Sequence, residues 1–368
     1  MATFKYGSNS LLTLTSRITT PSIHIQKDGN HWYVPLFSGN KGSVVKSGDY
    51  NYTLGGLKVG SYRAAIGREE VINIYVFSSS NTTWILTPKG EIYGCGHNNY
   101  GQQGSGDSGD TTERVLTFTK RASNVKDVIC SDRTTWYIDN NNNLYGCGHN
   151  YFGQQGSGDT TDVLTFTKRA SNVKDVICSN YTTWYIDNNN NLYGCGYNST
   201  GQQGSGGTTN VLTFTKRASN VKDVICTNYT TWYIDNNNNL YGCGDNYYGQ
   251  QGSGDSGYGN YVSTFTKRAS NVKEFSCSEY TTWYINNNNL YGCGSNSTGQ
   301  QGSGDSGYGN YVSTFTKRAS NVKEVSCAGN TTWYIDNNNN LYGCGYNSLG
   351  QQGSGDTSNV LVFTKREL

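Results

Sequence analysis

The stretch Asn143-Leu-Tyr-Gly-Cys-Gly-His-Asn-Tyr-Phe-Gly-Gln-Gln-Gly-Ser-Gly-Asp159 has close copies along the chain, six in all. Its cysteine falls at Cys95, Cys147, Cys195, Cys243, Cys293 and Cys344, in steps of 52, 48, 48, 50 and 51 residues. Thr-Thr-Trp recurs in phase, ending at Trp84, Trp136, Trp184, Trp232, Trp283 and Trp333, and Phe-Thr-Lys-Arg recurs six times from Phe118 to Phe363. Cys130, Cys178, Cys226, Cys277 and Cys327 belong to Val-Ile-Cys or a variant of it, where the first unit has Ser78. A fixed period of this size marks a repeat architecture. Six complete units therefore run from about Val71 to the last residue.

In the second unit, four short runs rich in Val, Ile, Thr, Tyr, Phe and Trp are bounded by Gly, Asn, Ser and Asp, which predicts strands. They are Val125–Cys130, Thr134–Asp139, Asn143–Cys147, and either Val163–Lys168 or its counterpart Val115–Lys120. Between the second and third runs lies Asp139-Asn-Asn-Asn-Asn143. Asn tolerates left-handed backbone angles, so a tight hairpin is expected there. Four strands per unit, six times over, predict an all-β fold, a β-propeller. Only 34% of residues are hydrophobic, while 47 are Gly and 30 Tyr, which excludes one thick aliphatic core. Thin strands with Tyr and Trp supplying the buried area fit better.

The pattern Leu-Tyr-Gly-Cys-Gly-x-Asn-x-x-Gly-Gln-Gln-Gly-x-Gly resembles the repeat of the regulator of chromosome condensation family, over roughly Val71–Leu368. That resemblance implies a propeller, usually of seven blades. The chain departs from the family pattern in four ways. Cys replaces the common Trp before the last glycine, Thr replaces His before Thr (Thr134), an Asn run replaces Asp-Gly, and six complete units replace seven. Residues 1–70 contain strand-like runs at Ser22–Gln26, His31–Leu36 and Tyr50–Leu54, with a hairpin signal at Lys27-Asp-Gly29, but none of the repeat motifs. The division expected is a small β-rich docking domain over 1–70 and the propeller over 71–368, with a degenerate seventh blade from 1–70 as the alternative.

Gly153-Gln-Gln-Gly-Ser-Gly158 is followed by neither Lys-Ser/Thr nor a helix, so blade geometry is expected of it rather than phosphate binding. The two cysteines of a unit stand 17 residues apart, or 16 in the fifth unit, and His follows Cys-Gly only at His97 and His149. Zinc needs four convergent ligands, so no metal site is expected, and the cysteines are read as buried free thiols filling gaps near the shaft. A Lys-Arg pair recurs at Lys120, Lys168, Lys216, Lys267, Lys317 and Lys365. On an edge strand such pairs guard against unwanted pairing. A ring of twelve cations gripping phosphate or an acidic polymer is the second reading. The chain has four histidines, and no carboxylate pair recurs at a defined spacing, so no catalytic residue and no cofactor are expected.

The units disagree in three loops: after Cys-Gly, after the first-strand cysteine, and beyond Gly-Ser-Gly. Tyr, Ser, Asn, Gly and Asp dominate there, the palette of recognition surfaces. The candidate ligand-binding residues are Tyr151, Phe152, Tyr247, Tyr248, Tyr258, Tyr261, Tyr308 and Tyr311. If the loops share one rim, they form a tyrosine-rich face able to stack on sugar rings.

The net charge of +2 gives no general pull toward nucleic acid or anionic membrane. No run approaches a membrane span and the N-terminal residues lack a signal-peptide pattern. The function expected is non-enzymatic binding. Near-identical tandem copies, and the likeness of Leu57-Lys-Val-Gly-Ser-Tyr-Arg63 to short motifs of bacteriophage tail proteins, point to a virion component made in the host cytoplasm. Residues 1–70 would dock onto other virion proteins. The loops would meet a host-surface glycan or protein, in many copies per particle. An exchange factor for a small GTPase, a chromatin binder, or an architectural virion spacer are the alternatives.

Overall fold

The structure is a computed structural model that describes residues 74–108 and 114–367, and before them the backbone of five short strands between residues 2 and 43. From Tyr75 onward, every unit folds as a four-stranded antiparallel sheet with its strands in sequence order. Blade one comprises Tyr75–Ser78, Thr82–Leu86, Ile92–His97 and Arg114–Ala122, and blade two Val125–Cys130, Thr134–Asp139, Leu144–Gly148 and Val163–Ala170. Blades three to six repeat this and end with Val360–Arg366. The expected strands of the second unit are found within two residues at each end. The fourth strand is the one that follows the third, since Leu144 pairs with Ala170 and Tyr145 with Lys168.

The hairpins owe their shape to Asp139 and its counterparts. Its carboxylate accepts the backbone N–H of Asn141 (2.9 Å) and of Asn143 (2.8 Å), while Asn142 takes a φ of 59°. Asp187, Asp235 and Asp336 make the same pair of bonds in blades three, four and six. Blade five has Asn286 at this place and a tighter turn, with Asn286 paired to Asn289 and both residues between them at positive φ.

The Tyr-Gly-Cys-Gly to Gly-Gln-Gln-Gly segment is a knot of polar groups built on the buried Asn150 and Gln155, whose Oε1 alone is left without a hydrogen bond. Asn150 Oδ1 accepts the Gln155 N–H at 2.8 Å, and its amide donates to Ser157 Oγ at 2.8 Å and to the Asp159 carbonyl at 3.0 Å. Gln155 Nε2 donates to the Cys147 carbonyl at 2.8 Å. Such pairing is what permits amides to be fully buried.

Neighbouring blades meet where this knot receives the next blade's fourth strand. A Cβ on Gly101 would lie 2.6 Å from Leu164, and one on Gly104 2.6 Å from Phe166. Both glycines also have positive φ, so Gly is required twice over. Phe166 packs edge-on against Trp84 at 5.7 Å, and the contact recurs as Trp136–Phe214, Trp184–Phe265, Trp232–Phe315 and Trp283–Phe363. The first strands line the central shaft and the fourth strands form the outer edges.

Of residues 1–70, only strand backbone is described: Gln26–Asp28, His31–Leu36 and Asn40–Ser43 form one antiparallel sheet in sequence order. The expected strand at Tyr50–Leu54 lies outside the described residues.

Replacing Asn142 by Ala should cost about 1 kcal/mol, because a Cβ-bearing side chain without a local polar partner disfavours left-handed angles. Asn141→Ala, in the same exposed turn but without positive φ, should stay within ~0.5 kcal/mol. Urea unfolding midpoints of the two variants decide the comparison.

Candidate functional site: the loop face

An up-down-up-down blade places the loop between its first two strands and the loop between its last two on the same side of the disc. The Asn hairpins and the links between blades fall on the other. All three variable loops of the repeat therefore share one face, as their use for recognition requires.

On that face the aromatic residues touch one another across blades. Tyr100 of blade one lies 4.6 Å from His149 of blade two, measured between ring centroids. Phe152 lies 5.0 Å from Tyr151 and reaches Tyr181 at 5.2 Å and Tyr197 at 4.6 Å in blade three. Tyr181 continues to Tyr229 at 6.1 Å. Farther round, Tyr248 contacts Tyr280 at 5.1 Å and Tyr311 at 5.3 Å, and Tyr247 contacts Tyr248 at 4.7 Å. The Arg133 guanidinium stands over Tyr100 (5.4 Å) and Tyr181 (5.7 Å), a cation–π bridge within the belt.

The eight candidate residues divide into two groups. Tyr151, Tyr258, Tyr261 and Tyr308 are exposed, Tyr258 at 98% and Tyr308 at 99%, whereas Phe152, Tyr247, Tyr248 and Tyr311 are half-buried within the belt. Tyr258 and Tyr308 are held out by glycines on either side with positive φ: Gly257 and Gly259, Gly307 and Gly309. Each loop is closed at its base, by Gly257 N–H to the Tyr247 carbonyl (2.7 Å) and Gly307 N–H to the Ser297 carbonyl (3.2 Å). Sequence reading did not single out Tyr100, Arg133, Tyr181, Tyr197, Tyr229 or Tyr280. The period of the first loop, Ser-Asp-Arg, Ser-Asn-Tyr, Thr-Asn-Tyr, Ser-Glu-Tyr, carried the signal for four of them.

The first loops, among them Ser131, Asn180, Asn228 and Glu279, line the mouth of the shaft, a cavity of about 420 Å³. The middle residues of the first loops bond from blade to blade around it. Ser80 N–H donates to Asp132 Oδ1 (3.0 Å), Asp132 N–H to Asn180 Oδ1 (3.1 Å), Asn180 N–H to Asn228 Oδ1 (3.2 Å), and Asn228 Nδ2 to Glu279 Oε1 (2.8 Å).

All eleven cysteines are free. The expectation of buried thiols near the shaft holds in place for the first-strand set alone, since Cys130, Cys178, Cys226, Cys277 and Cys327 line it, but of these only Cys327 is buried. The Tyr-Gly-Cys-Gly set sits at the seams instead, with Cys147 Sγ donating to the Gln102 carbonyl of the preceding blade at 3.5 Å. Burial pushes the Cys147 thiol well up, away from the reactive thiolate. His149 is buried, and its Nδ1 accepts from Gln154 Nε2 at 2.8 Å. Burial holds its pKa below the usual imidazole value. Among the described residues no group of three His, Cys, Asp or Glu is placed to hold a metal ion.

The Lys-Arg pairs are not twelve equivalent cations. The lysines are exposed, while each arginine is half-buried. Burial lowers the pKa of Arg169, Arg217, Arg268 and Arg318, so these guanidinium groups serve the seam more than the surface.

A scan against protein-family models and a search of curated proteins by sequence find no match. Solved structures do match. Prp20p from Saccharomyces cerevisiae, described with its binding to Gsp1p and histones, superposes with a TM-score of 0.64 at 16% identity, over 80% of this chain and 77% of that one. Human WBSCR16 gives 0.63 at 16% identity, over 86% and 89%. The yeast RCC1 (Prp20) bound to Kap60 gives 0.62 at 17%, over 80% and 75%. The fold is an RCC1-like β-propeller. At these identities the likeness extends to the fold alone.

Two first-strand carboxyls give a pH test of the shaft. Asp127 is pushed up to about 6 by burial and by Asp175, and Asp223 to about 6 by burial, with Asp175 adding to it. A raised carboxyl binds its proton more tightly folded than unfolded, so its contribution is present below about pH 4 and is lost as pH rises to 6. Between pH 5 and 7.5 the urea midpoint should therefore fall less in Asp127→Asn/Asp223→Asn than in the parent.

Proposed function

We propose that this protein acts by binding, through the aromatic loop face of the propeller, and that its ligand is a host-surface glycan or glycosylated protein met by a virion component. Two arcs of aromatic contacts on the loop face, with exposed tyrosines beside them, carry this reading. A propeller needs its Trp and Phe at the seams, but it has no structural need for fully exposed tyrosines such as Tyr258 and Tyr308. Tyrosine offers a flat apolar ring for the faces of sugars, and Asp255, Asn260, Asp305 and Asn310 in the same loops offer partners for hydroxyls. In the virion setting, docking would fall to residues 1–70, and many copies would raise avidity without tight single sites.

The experiment is binding of the full-length chain to a glycan array and to intact bacterial cells. Tyr258→Ala/Tyr308→Ala should weaken capture by about tenfold or more while leaving the melting temperature unchanged. Undiminished capture by the double variant would exclude these loops. Nucleotide release from a small GTPase, with no glycan or cell binding, would overturn the reading as a whole.

A further inference from the structure

Blades four and five carry the same long loop between their third and fourth strands, Asp255-Ser-Gly-Tyr-Gly-Asn-Tyr261 and Asp305-Ser-Gly-Tyr-Gly-Asn-Tyr311. Seven residues separate Gly254 from Val262 there, against four in blades two, three and six, as between Gly158 and Val163. The three extra residues are not needed to close the knot. In the short loops the backbone N–H groups of Asn150, Asn198 and Asn347 donate to the side-chain oxygens of Asp162, Asn210 and Asn359, at 2.7, 3.0 and 3.0 Å. In the long loops the carbonyls of Asn260 and Asn310 accept the equivalent N–H, from Asn246 at 3.0 Å and from Asn296 at 2.8 Å. What the insertion adds is a projecting tyrosine, Tyr258 in one blade and Tyr308 in the next, both exposed. A Cβ on Gly257, Gly259, Gly307 or Gly309 would meet nothing within 4 Å among the described residues, so the tips stand clear of their neighbours.

The two loops are also tied to each other. Tyr247 holds the loop of its own blade, its carbonyl accepting the Gly257 N–H at 2.7 Å. Its ring and that of Tyr248 support the base of the next loop, with the Tyr311 ring at 6.1 Å and 5.3 Å. Blade five has Ser297-Thr298 in place of this pair. Duplication of a unit therefore accounts for the matching loops but not for the aromatic support between them. Neither loop carries Lys or Arg, and each carries an exposed aspartate, Asp255 or Asp305.

We propose, building on the glycan-binding role given above, that the ligand is a linear, uncharged polysaccharide of repeating units, one chain of which is held at two successive positions by Tyr258 and Tyr308. Identical tips one blade apart match identical epitopes one step apart. A repeating chain supplies these, whereas a single sugar or an irregular protein surface does not. The aspartates of the two loops disfavour an anionic chain by like-charge repulsion. Once a chain is held at one tip, its contact with the other is intramolecular, so weak stacking at each tyrosine adds up to firm attachment. Because Tyr247 and Tyr311 already fix the spacing, little ordering of the loops is needed on binding.

Calorimetry on the full-length chain tests this, with the neutral glycan best captured on the array supplied as a single repeating unit and as chains of increasing length. The single unit should bind weakly, two per protein. A chain long enough to span both tips should bind about a hundredfold tighter, one per protein. Tyr258→Ala or Tyr308→Ala alone should bring the long chain down to the affinity of the single unit, with the melting temperature unchanged. Tyr258→Phe/Tyr308→Phe, which keeps both rings, should retain the advantage of the chain. Equal affinity for unit and chain, or a long chain indifferent to either alanine variant, overturns the proposal while leaving the glycan-binding role in place. Capture of anionic glycans alone does the same. Capture of no glycan at all overturns both.

Discussion

The contact of a phenylalanine with a glycine and a tryptophan of the preceding blade is the constraint on which this molecule depends. Phe166 has room only because Gly104 lacks a side chain, and its edge finds Trp84 because Gly94 lets the indole lie flat on its own sheet. The blades are thin and largely polar, so burial within one blade is modest, and much of the apolar area is closed off only when neighbours stack. Phe166 is half-buried, so its truncation to alanine should cost less than the ~3–5 kcal/mol of a fully buried phenylalanine. The repetition of motifs along the chain is the repetition of that one contact.

Polar residues do the rest of the interior work. Asn150, Gln154 and Gln155 are fully buried, and each amide nitrogen donates within the loop or across the seam, as when Gln154 Nε2 donates to the Asn180 carbonyl at 3.2 Å. A loop base fixed in this way leaves the residues beyond it free to vary. Tyr151, Phe152 and Tyr258 change from copy to copy because they lie outside the knot, whereas Asn150, Gln155 and Ser157 are the same in all six units.

Period, strand content and the hairpin turns were legible in the sequence because each is a local or repeated property: β-propensity, Asn at a positive φ, and a spacing that survives copying. The seam was not. That Leu164 and Phe166 plug the blade before their own follows from three-dimensional neighbours, and no spacing within one unit states it. The same limit explains the thiols, since Cys147 at a seam and Cys130 at the shaft look alike as residues between short apolar runs. The variable loops were found by comparing copies, and the exposed Tyr151, Tyr258, Tyr261 and Tyr308 were among the residues chosen. Tyr181 and Tyr229 stand in a loop whose period marked it as variable, but no spacing states that their rings meet across blades.

Each described blade is made from four consecutive strands of its own unit, with none borrowed from the far end of the chain. Among the described residues the blades are thus a linear stack with no strand exchanged between units. Such a stack can gain or lose a whole unit by recombination between near-identical copies, and every remaining junction stays chemically the same. Ring size then becomes an inherited variable rather than a fixed trait of the fold, limited by how well the two ends meet.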